Sequence, residues 1–256
     1  MIVMDKLRSG PPNKLSDEQQ LEVANELFPT KNVRNWKREK VNQGDIPSFT
    51  KEELTMACDK IKEKKAPGPD GLPPEIIKAV VKSNPDRILR ILNRQLKTGS
   101  FPKEWKTAKL VLIEKSKPGQ VNKAYRPICL LNVLGKLMEQ LLLYRLKREI
   151  ENNGDLAEEQ HGFRDKRSTV CALKRVQEIA DEANERVGRK RCIFITLDVR
   201  NAFNTVPWEG ILKELRQRKI AAYLYNMISS YLEDRILYIG DNQQKKMTCG
   251  VTQDSV

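Results

Sequence analysis

Apolar positions along the chain repeat at two periods, and the switches between them mark out elements. Thr50 stands three residues before Glu53, a capping-box spacing, and Leu54, Ala57, Cys58 and Ile61 then share one helical face. "APGPDGLPP" (66–74) is crowded with Pro and Gly and predicts a rigid, turn-rich loop. Ile76, Ile77, Val80 and Val81 predict a helix from about Pro74; Ile88, Leu92 and Leu96 predict another from Asn84-Pro85 to Gly99. The period then drops to two. "WKTAKLVLIEK" and "YRPICLL", joined by the turn "SKPGQ", alternate and carry β-branched residues, so they predict two strands. A strong amphipathic helix from about Asn132 to Ile150 follows, with Leu134, Leu137, Met138, Leu141 and Leu142 as its stripe and "NNG" as its stop. Leu173, Val176, Ile179, Ala180, Ala183 and Val187 predict the inward face of a helix beginning at Ser168. Within "CIFITLDVRNAFN" (192–204), the apolar run ending in Asp198 predicts a buried strand. Two helices follow, one opened by Pro207 with Ile211, Leu212 and Leu215, one with Leu224, Met227, Ile228 and Tyr231. "RILYIGDNQQKKMTCGV" predicts a hairpin turning at Gly240-Asp241-Asn242. No segment repeats. The fold class is α+β, most simply a small antiparallel sheet flanked by helices.

Residues 1–47 break the pattern. They are polar, and five basic residues in ten (Lys31, Arg34, Lys37, Arg38, Lys40) surround Trp36. They predict a basic, partly disordered N-terminal extension, either a solvated tail or a nucleic-acid-binding arm. The whole chain has 47 Lys plus Arg against 34 Asp plus Glu, net +13, which favours a polyanionic partner over a neutral one. Five cysteines lack metal-ligand spacing; four of them lie among apolar neighbours, as reduced core thiols of an intracellular protein, nuclear or cytoplasmic, would. One histidine, His161, without a CxxC pair speaks against structural zinc, and no Gly-x-Ser-x-Gly elbow accompanies it. No apolar run approaches membrane-spanning length, so no membrane partner is expected, and the N-terminus lacks the order of a secretory signal.

The candidate chemistry centres on Asp198. A carboxylate at the tip of a strand is fixed in direction and open at its end, which suits a hard Mg²⁺ ion. The plainer reading is a strand-ending Asp that caps the next turn. The backbone N–H groups after Asp198 offer an anion-binding concavity for phosphates. Phe203 would then lie against the sugar of a bound nucleotide and clash with a 2′-hydroxyl; its plainer reading is core packing.

Five segments, taken in order, resemble the reverse transcriptase of non-LTR (LINE-type) retrotransposons. "KKAPGPDGLPPEIIK" (64–78) resembles the fingers entry motif and "LVLIEKSKPGQVNKAYRPICLLNVLGKLMEQLLLYRL" (110–146) the long first motif. "QHGFRDKRST" (160–169) resembles the second, "FITLDVRNAFNTVPW" (194–208) the first catalytic motif, and "GVTQDSV" (250–256) the next. The first two segments favour the non-LTR type over group II intron or retroviral enzymes. The resemblance implies a right-hand polymerase fold. Its expected divisions are the extension at 1–47, a helix-rich fingers region at 48–190, and an incomplete palm at 191–256 with the thumb and later palm absent.

By residue, the resemblance implies that Asp198 is catalytic, the first metal-binding carboxylate of a two-Mg²⁺ nucleotidyl-transfer site. Phe203 would be the sugar-selecting aromatic. Lys115 or Lys117, with Arg126, would hold the triphosphate, Arg pairing two oxygens at once. Gln253 would lie near nucleotide and template, and Arg164 and Arg167 would track the template backbone. The implied partners are an RNA template, a DNA primer and a dNTP; the oligomeric state stays open. The family's centre also needs two adjacent aspartates, and these 256 residues contain no such pair. Weak or absent Mg²⁺ binding and no polymerase activity are therefore expected of the chain as it stands. Thr252 and Asp254 replace the Pro and Gly of the family's usual "GVPQGSV", and Asp165 and Lys166 depart from "GFRKGRST". Two other readings stay open: a module that binds RNA or an RNA/DNA hybrid without catalysis, and a relic of a decayed element.

Overall fold

The computed structural model describes residues 15–31, 36–41, 46–114, 125–154, 156–185, 192–199 and 201–252. The chain divides into two compact units, Met1–Glu149 with Asn201–Val256, and Ile150–Arg200. In the first unit, α1 (Asp17–Leu27), α2 (Lys51–Lys60), α3 (Pro74–Ser83) and α4 (Pro85–Thr98) lead through a 3₁₀ turn at Lys103–Lys106 into strands β1 (Thr107–Glu114) and β2 (Tyr125–Leu131). Helix α5 (Val133–Asn152) spans the division, and α6 (Thr169–Glu185) lies in the second unit. The first unit resumes with α7 (Ala202–Thr205), α8 (Trp208–Gln217), α9 (Ala222–Leu232), β3 (Ile236–Ile239) and β4 (Gln243–Lys246).

Local chemistry sets most of these boundaries. Thr50 and Glu53 form the expected capping box: the Glu53 N–H donates to Thr50 Oγ1 at 3.2 Å and the Thr50 N–H to Glu53 Oε2 at 2.9 Å. Pro74 and Pro85 open α3 and α4, where a missing N–H costs nothing, and Gly99 closes α4 at φ 61°. In the sheet, alternate residues point to the core: Leu110 is paired with Cys129, Leu112 with Pro127 and Ala108 with Leu131, all buried.

The sheet order is β2-β1-β3-β4, and the expectation of an antiparallel sheet holds for its two outer pairs. The central pair, β1 with β3, is parallel, in register Ala108 to Leu237 and Leu110 to Ile239. Several helices separate those strands in sequence, so the chain has ample length for the crossover that a parallel pair requires. Pro127 sits on the edge strand β2, where the lost N–H breaks no ladder, and β4 puts Lys245 and Lys246 on the opposite edge.

The N-terminal segment is more structured than its polarity suggests. Ser16 and Gln19 make a second capping box, α1 packs against the sheet, and Ala24 and Phe28 are fully buried. Further along, the Glu39 N–H donates to Asn226 Oδ1 at 2.8 Å and Asn226 Nδ2 returns a bond to the Glu39 carbonyl at 2.9 Å. Among the described residues no helix is long and apolar enough to cross a membrane.

The second unit departs from expectation. Residues 192–199 form no strand, and all are exposed, Leu197 at 93%. The face of α6 expected to turn inward is exposed at Leu173, Val176 and Ile179 and half-buried at Ala180 and Ala183, while Val187 lies outside the described residues. A strand-prone run becomes a strand only where a neighbour offers an edge to pair with, and no described strand pairs with 192–199. A unit as short as Ile150–Arg200 also has too little chain to build a core around α6. Cys192 is exposed for the same reason, Cys171 is half-buried, and the buried free thiols are Cys58, Cys129 and Cys249.

Candidate functional site

Two of the sequence motifs meet in the first unit. Asn201 takes the left-handed conformation at φ 58°, which Asn tolerates better than most residues, and the chain then makes the single turn of α7. Asn201 Nδ2 donates to the Leu27 carbonyl at 2.5 Å, and Asn204 Nδ2 donates to Asn201 Oδ1 at 2.6 Å. Asn204 is buried, so this pair anchors the turn from inside. Phe203, between them, is 43% exposed, at the surface and not in the core. Residues 250–252 lie along the far side of the turn. The Val251 N–H donates to the Phe203 carbonyl at 2.8 Å and the Gly250 N–H to the Val206 carbonyl at 2.8 Å. Trp208 Nε1 closes the arrangement on the Gly250 carbonyl at 2.8 Å.

Gly250 is required here twice over. Its φ of 78° is strained for any L side chain, and a Cβ would come within 2.3 Å of the Asn204 carbonyl oxygen. The N-terminal segment braces the same region: Cys249 Sγ donates to the Pro29 carbonyl at 3.1 Å and Lys31 Nζ to the Thr205 carbonyl at 2.7 Å. Burial pushes the Cys249 thiol above its ordinary pKa and keeps it protonated as that donor.

The Pro- and Gly-rich loop fixes the junction between β2 and α5. Gly68 abuts the backbone of Leu131 and Asn132, where a Cβ would fall 2.5 Å from Asn132 N. Asn132 Oδ1 accepts from the Asp70 N–H at 3.3 Å, and its Nδ2 donates to the Glu104 carbonyl at 3.0 Å. One buried amide thus ties loop, 3₁₀ turn and strand end together. The strand so held carries Arg126, opposite Ile113, with its side chain exposed and unpaired among the described residues.

The remaining site residues divide between the units. Asp198 is in the second unit, in an exposed segment without regular secondary structure and not at the tip of a buried strand. In the same unit, Arg164 is half-buried and donates from Nη1 to the Ala157 carbonyl at 2.8 Å, while Arg167 is exposed. Lys166, at the position where the family pattern has Gly, takes a φ of 61°. Lys115, Lys117 and Gln253 lie outside the described residues, as does Arg200, through which the expected anion-binding turn passes. The described residues contain no group of three or more His, Cys, Asp or Glu that could hold a metal ion. One exposed carboxylate has the hard oxygen that Mg²⁺ prefers, but does not make a donor set for it. The buried amides Asn132 and Asn204 went unnoticed in the sequence; an Asn at each end of a strand–helix or turn–helix junction is the signal they left.

A helix-rich fold around a small mixed sheet is consistent with the fingers and palm of a reverse transcriptase fragment. The chain belongs to the reverse transcriptase (RNA-dependent DNA polymerase) family, whose pattern it matches over residues 113–254, and to the non-LTR retrotransposon branch of it. It is 34% identical over 221 residues to the RNA-directed DNA polymerase from mobile element jockey of Drosophila melanogaster, covering 82% of this chain and 23% of that protein. It is 32% identical over 214 residues to the probable RNA-directed DNA polymerase from transposon BS of the same fly, covering 80% of this chain and 23% of that protein. To the retrovirus-related Pol polyprotein from type-1 retrotransposable element R1 of Bradysia coprophila it is 30% identical over 218 residues, 82% of this chain and 21% of that protein. The chain thus spans less than a quarter of the length of these curated relatives.

Proposed function

We propose that this chain provides the fingers and the start of the palm of an RNA-directed DNA polymerase, with an RNA template, a DNA primer and dNTPs as its partners. The reading keeps the divisions 1–47, 48–190 and 191–256 as extension, fingers and palm. The observation that carries it is the hydrogen-bonded joint between the Phe203 turn and residues 250–252. That joint sets the motif implied to select the sugar beside the motif implied to meet nucleotide and template. Phe203 then bars a 2′-hydroxyl, and Arg126, exposed on an edge strand, offers a planar fork to a triphosphate. Arg164 and Arg167 follow the template backbone, with Arg167 the freer of the two to reach a phosphate.

Asp198 is the catalytic carboxylate in this reading. The reverse transcriptase family generally uses Mg²⁺, which lowers the pKa of an attacking hydroxyl and neutralises charge on a leaving group. Among the described residues no group of three or more His, Cys, Asp or Glu stands ready to hold such ions. We propose that residues 1–256 by themselves do not extend a primer, a reading supported by their containing no adjacent aspartate pair. Primer extension on an RNA template with Mg²⁺ and dNTPs tests this: no product is expected. Robust product that disappears in Asp198→Ala would overturn the inactivity and uphold the role of Asp198; product unaffected by that substitution would overturn both.

A further inference from the structure

Helix α4 carries a charge pattern that neither the apolar stripe nor the catalytic motifs explain. Its cations are Arg87, Arg90, Arg94 and Lys97, and its one acid, Asp86, is already paired with Lys51 at 2.8 Å. Arg90, Arg94 and Lys97 follow at i, i+4 and i+7, one stripe of the helix, and all three line an open groove of about 670 Å³. Each is exposed and makes no hydrogen bond or ion pair with any described residue. Two arginines elsewhere in this unit do find acids, the exposed Arg216 with Glu39 at 3.2 Å and the half-buried Arg218 with Glu214 at 2.7 Å.

A solubilising helix face would mix signs. Here Arg90 repels Arg94 and Arg94 repels Lys97, at spacings where opposite charges would have stabilised the helix. The helix dipole favours Lys97 in the last turn, but not Arg90 or Arg94 in the middle. Hydrogen bonds tie residues 48–49 beside the stripe to α4 and to Arg145. The Phe49 N–H donates to Asn93 Oδ1 at 2.6 Å, Asn93 Nδ2 returns a bond to the Phe49 carbonyl at 3.2 Å, and Arg145 donates to the Ser48 carbonyl at 2.9 Å. A second groove of about 200 Å³ shares Lys97 and Thr98 with the first and adds Arg38 from the N-terminal segment. The cations therefore form a path, Arg90 to Arg94 to Lys97 to Arg38, with Glu39, bonded to Arg216, as the one acid of the second groove.

We propose that this groove binds the phosphate backbone of single-stranded RNA, as a contact separate from the catalytic motifs. It shares no residue with Asp198, Phe203 or Arg126. No aromatic side chain lines the main groove, so bases are not stacked there and recognition is of charge, independent of sequence. The inference rests on RNA being the chain's partner, and its test separates the two ideas.

The test measures binding of residues 1–256 to a fluorescein-labelled 20-nucleotide oligo(U) by anisotropy across a salt series. Each lost phosphate contact on a single strand removes about 0.7 from the slope of log affinity against log salt, so R90Q/R94Q/K97Q loses about 2. Its affinity at about 0.1 M salt falls at least tenfold. The variant R90K/R94K keeps the charge and retains the slope, which shows that the helix tolerates substitution. The variant K60Q/K62Q/K213Q removes the same charge from other exposed positions and changes affinity less than about threefold. Equal losses in the two neutralised variants would overturn the groove and leave RNA binding standing. Absence of salt-dependent oligo(U) binding in the unaltered chain would overturn both. Binding of a 20-residue polyglutamate as tight as oligo(U), and as sensitive to R90Q/R94Q/K97Q, would assign the groove to an acidic protein and overturn the RNA proposal.

Discussion

Glu53 serves two partners with one carboxylate. It caps the Thr50 N–H and accepts from Arg145 Nε at 2.9 Å and Nη2 at 2.8 Å, while Arg145 also donates to the Pro47 and Ser48 carbonyls and stacks over Phe49 at 4.4 Å. Burial pushes the Glu53 carboxyl up, but the Arg145 and Thr50 hydrogen bonds outweigh it and hold the pKa below its ordinary value. A depressed carboxyl contributes stability that is complete above the unfolded pKa of about 4.3 and is lost as pH falls through the lower folded value. Glu53→Gln should cost roughly 1.5–3 kcal/mol at neutral pH, the range for hydrogen bonds to charged groups. Urea titrations from neutral pH down to about pH 3 should show that cost shrinking as the native protein itself loses the bond. A pH-independent difference between the two proteins would show that the charge of Glu53 contributes nothing.

At the scale of elements, the joint between α7 and residues 250–252 depends on a glycine. Gly250→Ala should destabilise the protein by more than about 1 kcal/mol, read as a lower urea midpoint, because both the left-handed backbone and the Asn204 carbonyl oppose a Cβ. A midpoint unchanged from that of the native protein would mean that 250–252 does not seat on the turn. Most elements were legible in the sequence where their cause was local. The Thr50–Glu53 cap, the prolines opening α3 and α4, and the alternation in β1 and β2 each carry their own signal, and each appears where expected. The strand expected to end at Asp198 and the inward face of α6 rest on apolar pattern alone, which states that a surface wants a partner but not that one is within reach. The capping box of α1 stood in plain view at Ser16 and Gln19, masked by the surrounding polarity. The stripe of Arg90, Arg94 and Lys97 was hidden differently: the leucines of α4 set the period, and the cations between them pass for an ordinary solvent face until their lack of partners is seen.

Across the whole molecule, the second unit exposes two strips of large apolar side chains, the α6 face and residues 193–199. Contiguous exposed apolar surface drives association. Purified residues 1–256 should elute as oligomers in sizing chromatography with light scattering, and Leu173→Lys with Ile179→Lys should shift the profile toward monomer. A monomer at every concentration before substitution would show that these faces do not associate. The bracing of residues 204–205 and 249 by Pro29 and Lys31 has a practical consequence for anyone shortening the polypeptide. The stretch that matches the family pattern begins at residue 113, inside β1, yet the turn it contains is stapled by amino acids some eighty positions upstream (roughly 3 Å of reach apiece when extended). Cutting the chain at that boundary would divide a strand in two and release the clasp, so the smallest piece that keeps the Phe203 turn intact starts well before the family pattern does.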